Sequence, residues 1–276
     1  MKNIFTIDTE DWFHANYEDG LFQNSASVKS TVEENTKIYL EILEKYHATA
    51  TFFVLGFVAE QHPQLVRQIA DAGHEIASHG YGHQLVYKQT PAEFREDIYR
   101  SKKLLEDIIG KPIFGYRAPS WSITEQSFWA LGILKELGFR YDSSIFPFKN
   151  FLYGVKDAPR FPFDASRYCE NAVGVIEVPP STIRVPFLNV PFSGGFYFRA
   201  LPYAAIYTCA KLVNYEKHPV VFYLHPREID PDQPRLPLSK RDALIHYFGI
   251  NGCKKKLDRV IRGFDCESIR DVLQIN

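Results

Sequence analysis

The sequence predicts an α/β fold, because short apolar runs alternate with amphipathic segments along most of its length. The runs have the length of buried strands, and the segments between them have the length of helices. Strands that alternate with helices imply a parallel sheet. About seven such units favour a closed or nearly closed barrel. We therefore expect a distorted, partly open (β/α) barrel of about seven parallel strands, similar to a TIM barrel.

The individual elements follow from these runs and from residues that start or stop helices. Thr31 suits the N-cap of a first helix, Pro63 the first turn of a second, and Gly110 the end of a longer one. The predicted strands are 4–7, 50–55, 74–78, 113–116, 139–141, 173–178 and 219–224. The predicted helices are 31–46, 63–72, 91–109, 125–137, 239–248, 252–263 and 267–274.

A single domain suits the length of 276 residues. We expect residues 1–230 to form the barrel. Within it, residues 147–202 are rich in proline, glycine and aromatic side chains and poor in helix pattern. That composition indicates an elaboration over the active face of the barrel. Residues 231–276 are predicted to be a helical extension packed on the same domain.

Composition excludes several classes of protein. The net charge is −1, from 32 basic and 33 acidic residues, which argues against binding to nucleic acid or to an anionic membrane. There is no apolar run long enough for a membrane span, and the start of the chain does not resemble a signal peptide. We therefore expect a cytoplasmic protein. The four cysteines are scattered, so neither a cysteine zinc site nor disulfides are expected.

Two histidines, His79 and His83, lie four residues apart just after a predicted strand. Helical spacing would put both imidazoles on one face, where they could share a cation. Catalytic zinc often takes two histidines and one carboxylate. The pair is weak evidence alone, because such pairs also occur on solvated helix faces. The rest of the chain has to supply the other parts of a site.

Charged or imidazole side chains also follow other predicted strands. In a parallel barrel the carboxyl ends of the strands lie on one rim, so these groups should meet. A shared metal-hydrolase site explains this pattern better than five separate solvated turns. The groups are Asp8, Glu10 and Asp11 after the first strand, Arg117 after the fourth, Asp142 after the fifth, and His225 after the last.

This set of residues predicts metal-assisted hydrolysis. The third metal ligand is Glu10 or Asp11. Alternate residues of a strand share a face, so Asp8 and Glu10 should both point to the site and Asp11 away from it. A sharp turn after Ile7 would break this alternation and favour Asp11. Zinc suits such ligands best, and cobalt, nickel, manganese and iron are alternatives.

These residues resemble the motifs of a known family, the carbohydrate esterase family 4 polysaccharide deacetylases, also called the NodB-homology group. The resemblance covers nearly the whole chain. It departs from the family at the first motif, where two adjacent Asp residues are usual. The matching segments are Thr6-Ile7-Asp8-Thr9-Glu10-Asp11, His79-Gly80-Tyr81-Gly82-His83, Arg117-Ala118-Pro119-Ser120-Trp121 and Leu224-His225-Pro226. Segments 194–199 and 225–231 resemble a subgroup linked to bacterial exopolysaccharide and surface-glycan biosynthesis.

The resemblance implies a role for each matching residue. Asp8 would be the general base, held in place by Arg117. His79 and His83 would bind the metal, and His225 would be the general acid. Asp142 would orient His225 or be structural.

Several residues are candidates for contact with the substrate. Aromatic faces suit sugar rings, and an arginine suits an anionic sugar or a phosphate. An aromatic core under segment 147–202 is an equally good explanation for most of them. The candidates are Tyr81, Trp121, Phe196, Tyr197 and Arg199.

The sequence therefore predicts a metal-dependent hydrolase that removes N-acetyl groups from an amino-sugar polysaccharide or glycan precursor. Its partners would be a carbohydrate with acetamido groups and the machinery that assembles the glycan. One alternative is an amidohydrolase or deformylase that acts on a small or lipid-linked sugar. Another is an inactive subunit that only binds glycans.

Overall fold

Seven parallel strands form the centre of the computed structural model, which describes residues 1–14, 16, 29–150, 152–186 and 188–275. The sheet has the strand order β10-β1-β2-β3-β4-β5-β7-β6, and among the described strands of this sheet only the outer pair β6–β7 is antiparallel. The strands are β1 (Asn3–Thr9), β2 (Thr51–Val54), β3 (Glu75–Ser78), β4 (Gly115–Tyr116), β5 (Tyr141–Asp142), β6 (Phe163–Asp164), β7 (Ile176–Glu177), β8 (Thr182–Val185), β9 (Leu188–Pro191), β10 (Val221–Leu224) and β11 (Cys266–Glu267).

Helices cover the outside of this sheet. Helix α4 shows why the sequence begins and ends helices where it does: Thr90 and Glu93 form a capping box, and Gly110 ends the helix at φ 66°. No described helix has the length and apolar character needed to cross a bilayer. The helices are α1 (Val32–Lys45), α2 (Gly56–Gln61), α3 (Pro63–Asp71), α4 (Pro91–Ile109), α5 (Trp129–Glu136), α6 (Gly195–Ala200), α7 (Tyr203–Tyr215), α8 (Lys240–Tyr247), α9 (Ile250–Gly263) and α10 (Ile269–Leu273).

The sheet is curled, and a short connection spans the gap between its two edges. At one edge, Val178 donates its N–H to the carbonyl of Asp142, the last residue of β5, at 2.8 Å. Three residues later, Ser181 donates its N–H to the carbonyl of Val221 in β10, at 3.3 Å. The gap is therefore bridged by residues 178–181 without a regular strand. This architecture confirms the predicted partly open barrel of about seven parallel strands.

The inside of the barrel is apolar at the bottom and polar at the top. Side chains alternate along β1, so Ile4 packs inside with Phe53, whereas Phe5 and Ile7 belong to the core beneath the helices. Two and four residues after Ile4, the side chains of Thr6 and Asp8 both reach Arg117. The strand thus delivers a carboxylate to the rim that carries the predicted site residues.

Three helices, one hairpin and the short strands β6 and β11 were not predicted. Helices α2, α6 and α7 lie in segments without a clear amphipathic pattern, and their N-terminal ends have no side-chain cap. The antiparallel hairpin β8–β9 lies within segment 147–202. Tertiary packing, and not local pattern, decides the structure of these segments.

The C-terminal segment packs on the barrel. Cys253, Leu257 and Val260 of α9 are buried in the main core together with strand residues such as Phe5 and Phe222. Strand β11 pairs with the first residues of β1. Helix α9 and strand β11 therefore share the core of the preceding part.

Candidate metal centre and catalytic pocket

The three acids at the end of β1, Asp8, Glu10 and Asp11, do not all point to the same place. After Asp8 the chain bends, because the N–H of Glu10 donates to the carbonyl of Asp8 at 2.9 Å. The side chain of Glu10 is buried and points to the rim. The carboxylate of Asp11 instead accepts the N–H groups of Trp12 and Thr31, each at 3.1 Å. Asp11 thus anchors the following segment, and Glu10 is the acid that reaches the histidines.

The two histidines meet at Glu10, but not on a helix. Segment 79–83 is a loop in which Gly80 and His83 have φ values of 76° and 53°. The assumption of helical spacing was therefore wrong, although the two rings still lie 5.3 Å apart. The carboxylate of Asp97 in α4 holds the loop by accepting the N–H groups of Tyr81 at 2.7 Å and Gly82 at 2.9 Å. Sequence reasoning missed this residue.

Hydrogen bonds orient the imidazole rings. His79 Nδ1 lies 2.9 Å from the carbonyl of Arg117, so its Nε2 faces Glu10 at 3.7 Å from Oε2. His83 Nε2 contacts the same oxygen. The amide of Asn16 lies 3.3 Å from His83 Nδ1 and was not predicted as part of the site. Both Nε2 atoms therefore converge on one carboxylate oxygen.

These three residues fit a metal ion. One ligand atom from each of Glu10, His79 and His83 lies within 4.8 Å of the others. Glu10 Oε2 is buried and faces the Nε2 atoms of both histidines. Burial alone would raise the pKa of Glu10, but the surrounding histidines outweigh it and hold that pKa well below its ordinary value. A buried, ionised carboxylate facing two imidazole nitrogens is the donor set that divalent transition metals prefer.

Arg117 holds the second acid of the site, Asp8. Its Nη1 donates to Asp8 Oδ1 at 2.6 Å and to the hydroxyl of Thr6 at 2.8 Å. Its guanidinium is fully buried and lies over the rings of Phe53 and Trp121, at 4.1 and 4.6 Å. The other carboxylate oxygen of Asp8 lies 3.6 Å from His225 Nε2. Arg117 therefore fixes Asp8 at the rim while one of its oxygens faces the pocket.

His225 follows β10 and is oriented by Glu228, a residue that sequence reasoning missed. Glu228 Oε2 lies 3.3 Å from His225 Nδ1 and accepts the backbone N–H of the same residue at 3.1 Å. Glu228 Oε1 accepts from Arg199 Nε at 2.8 Å, and Arg199 Nη2 donates to the carbonyl of Ile245 at 2.7 Å. The other Arg199 nitrogen bonds to the carbonyl of Phe248. Glu228 is thus held between the histidine and a buried arginine.

The charges of this cluster explain its protonation. Burial would lower the pKa of His225, but the carboxylates of Glu228 and Glu10 outweigh it and raise that pKa. Burial would raise the pKa of Glu228, but the hydrogen bond to His225 and the charge of Arg199 hold it far below its ordinary value. His225 is therefore arranged to carry a proton on the nitrogen that faces the pocket.

The structure places Asp142 away from His225, which corrects the suggestion that it orients that histidine. Its carboxylate bonds to the hydroxyl of Ser144 and faces Glu177 in the neighbouring strand. Burial raises the pKa of Asp142 to about 6, and burial together with the Asp142 charge raises that of Glu177 well above its ordinary value. The two carboxyls form a fully buried pair that can share a proton.

The site opens into a pocket of about 170 Å³. Trp121, Phe196 and Tyr197 line it and stay candidates for contact with the substrate. Arg199 also borders the pocket, but each of its three nitrogens bonds to Glu228 or to a backbone carbonyl, so it acts as a structural support. Tyr81 lies outside this pocket, where its hydroxyl donates to Glu60 and its ring lies under Arg100.

Comparison with known proteins agrees with this geometry. Residues 14–141 match the model of the polysaccharide deacetylase family, and residues 143–274 match a domain of unknown function, DUF3473. The first half of the chain is therefore similar to the polysaccharide deacetylase family. The first matched range contains His79, His83 and Arg117, whereas Asp8 and Glu10 precede it and His225 lies in the second range.

Two relatives with which the chain aligns are named as carbohydrate deacetylases. A peptidoglycan deacetylase of Helicobacter pylori is 35% identical over 109 residues, which is 38% of this chain and 35% of the relative. A chitooligosaccharide deacetylase of Azorhizobium caulinodans is 30% identical over 124 residues, which is 43% of this chain and 58% of the relative. The alignments with these two relatives therefore span about a third to somewhat more than half of the relatives' length.

Solved structures show the same fold at low sequence identity. A Mycobacterium smegmatis structure assigned to the polysaccharide deacetylases has a TM-score of 0.61 at 20% identity, over 99% of this chain and 90% of the other. The PuuE allantoinase has a TM-score of 0.57 at 15% identity, over 94% and 82%. The boundary between the two family matches falls at β5, within one continuous sheet.

Proposed function

We propose that this chain removes N-acetyl groups from amino sugars in a glycan, with a divalent cation held by Glu10, His79 and His83. The observation that carries the proposal is that this cluster, Asp8 and His225 line one pocket, with Arg117 buried behind Asp8. The named relatives, a peptidoglycan deacetylase and a chitooligosaccharide deacetylase, support an acetamido sugar as substrate. Zinc is the first choice for the cation because its sites often combine two imidazoles with a carboxylate.

The residues of the chain have separate roles in this reaction. A bound cation would polarise the acetyl carbonyl and lower the pKa of a water molecule. Asp8 takes a proton from the attacking water, and Arg117 holds Asp8 in position. His225 donates a proton from Nε2 to the leaving amine nitrogen, and Glu228 holds the opposite nitrogen of the ring.

Acetate release tests the proposal directly. The purified protein is incubated with N-acetylated oligosaccharides and with nucleotide sugars, after chelation and after each candidate metal is added back. We expect release from an oligosaccharide that depends on the metal, and losses of about 10²–10⁴-fold in Asp8→Asn and His225→Ala. Near-normal turnover in either variant contradicts the assigned roles.

The outcome also separates the alternatives. Asp11→Asn is the matched control, because it replaces an acid of the same segment whose side chain holds backbone N–H groups outside the metal cluster. Release from nucleotide sugars alone would favour an amidohydrolase of small or lipid-linked sugars. A protein that binds metal and oligosaccharide but releases no acetate would be a glycan-binding subunit. The exopolysaccharide setting and a partner in glycan assembly stay predictions from the sequence resemblance.

A further inference from the structure

Helices α7 and α9 lie side by side on the outside of the barrel and form one surface. The guanidinium of Arg259 lies 4.0 Å from the centre of the Tyr203 ring, and the Tyr203 hydroxyl donates to the Arg259 carbonyl at 3.4 Å. The ammonium of Lys211 lies 5.2 Å from the ring centre of Tyr207 and 5.1 Å from that of Phe264, which follows α9. We call the exposed side chains of Tyr203–Tyr215 and Ile250–Gly263 the α7–α9 face.

The α7 part of this face is mainly apolar. Tyr207, Leu212 and Tyr215 expose 37, 47 and 84% of their surface. Together with Ala204, which is also exposed, they share one side of the helix. Large apolar side chains that stay in contact with water along a whole helix mark a surface that meets another molecule.

The α9 part of the face is basic. Helices α7 and α9 together contain six basic residues and one acidic residue, Asp258. Lys45 of α1 binds Asp258 at 2.8 Å and neutralises it. Lys256 bonds to carbonyl groups at the end of α6, so it does not point to solvent. The remaining five cations are exposed, namely Lys211, Lys254, Lys255, Arg259 and Arg262.

The acidic residues that border the face are also paired. Glu216, which follows α7, binds Arg160 at 2.8 Å, and Asp265, which follows α9, binds Lys2 at 3.3 Å. Helix α1, by contrast, has four acidic and two basic residues. The net charge of −1 for the whole chain averages these opposite surfaces, so it does not exclude a negatively charged partner at the α7–α9 face.

We propose that the α7–α9 face docks on an anionic lipid bilayer. The cations attract the headgroups, and the tyrosine and leucine side chains enter the boundary between headgroups and acyl chains. Tyrosine suits this boundary because its ring is apolar and its hydroxyl is polar. Nucleic acid would also attract the cations, but it offers no apolar layer for Leu212 and its neighbours. Docking through the side of the barrel leaves the catalytic pocket at the rim open to a glycan near the membrane, and it does not depend on the deacetylase activity.

Co-sedimentation of the full chain with vesicles tests this docking. Vesicles of phosphatidylcholine are compared with vesicles of equal parts phosphatidylcholine and phosphatidylglycerol, at low and high salt. We expect binding to the mixed vesicles that falls as the salt concentration rises. Lys254→Ala/Lys255→Ala should weaken this binding by about 25-fold, since each cation near an anionic surface contributes about 5-fold. Lys103→Ala/Lys111→Ala removes two exposed cations within and just after α4 and is the matched control, which should bind like the wild type.

A second variant reports the position of the apolar side. Tyr215→Trp should be quenched by lipids brominated in their acyl chains, above the background of the wild type. Equal binding to both kinds of vesicle, binding to neither, or unchanged binding in Lys254→Ala/Lys255→Ala overturns the proposal. Absence of added quenching in Tyr215→Trp also overturns it. Binding to DNA that is tighter than binding to the mixed vesicles would assign the face to nucleic acid instead.

Discussion

Glu228 offers the sharpest test of the catalytic geometry, through the change Glu228→Gln. Its two oxygens accept from three donors: Arg199 Nε at 2.8 Å, and the backbone N–H and Nδ1 of His225 at 3.1 and 3.3 Å. A glutamine has only one acceptor oxygen and presents an NH₂ group in place of the other. Because an unpaired buried guanidinium is costly, the oxygen should stay with Arg199. His225 Nδ1 then faces a donor.

The size of the expected fall in kcat follows from the replacement of an acceptor oxygen by an NH₂ group. An NH₂ group next to Nδ1 fits only an unprotonated nitrogen, so the imidazolium form of His225 loses its support. General acid catalysis contributes about 10²–10⁴-fold. We expect kcat to fall by at least about 10²-fold, or about 2.7 kcal/mol, and KM to change little, because Glu228 acts through His225.

Steady-state kinetics on an N-acetylated oligosaccharide check this value, and metal analysis confirms that the cation site is intact. Asp142→Asn is the matched control, since it also turns a buried carboxylate of the same rim into an amide but lies away from His225. The reasoning is refuted if Glu228→Gln keeps kcat within about threefold of the wild type, or if Asp142→Asn loses as much.

Three further predictions concern the metal ligands, the buried acid pair and the arginine. Glu10→Gln should lower zinc content and affinity by at least about 10-fold while Asp11→Asn leaves both unchanged, and the reverse order would assign the ligand to Asp11. In the folded state Asp142 has a pKa of about 6, against an ordinary value of 3.8. The folded state therefore loses stability relative to the unfolded state as the pH rises from 3.8 to about 6. Asp142→Asn should therefore raise the free energy of unfolding by roughly 1–3 kcal/mol at pH 8 and leave it unchanged at pH 4. Urea denaturation measures this difference, and an equal gain at both pH values would contradict the prediction. Arg117→Lys should reduce kcat by about 10²-fold, because an ammonium cannot reach Asp8, Thr6 and Ser143 together, and unchanged kcat would show that Asp8 needs no such support.

The fold could be predicted because its strands are short, buried and bounded by clear helix signals. Strand β2, Thr51–Val54, is buried along its whole length, and Pro63 and Gly110 begin and end helices as expected. Helix α7 could not be predicted in this way. Its 13 residues, Tyr203–Tyr215, mix apolar and polar positions without a strong stripe, and packing against the rest of the molecule decides its structure.

The site was predictable where a strand carries the residue, and less so where a loop does. Asp8, Arg117 and His225 follow from the parallel order of the strands. Glu228 had a signal in the sequence: His225-Pro226-Arg227-Glu228 has the spacing of a capping box with proline at the first position, which the structure shows. Asp97 had none, because it approaches loop 79–83 from the middle of a long helix.

The two family matches meet inside one sheet, and this has a consequence for how the molecule can be divided. The proposed cation ligands come from the first half, whereas the proposed proton donor and its carboxylate come from the second. A fragment that ends at residue 142 would also remove β10 and leave β1, the strand of Asp8, as an exposed apolar edge. Such edges pair with other chains and aggregate. Each half therefore needs the other to fold and to complete the proposed site. Neither half can be exchanged between proteins without the other.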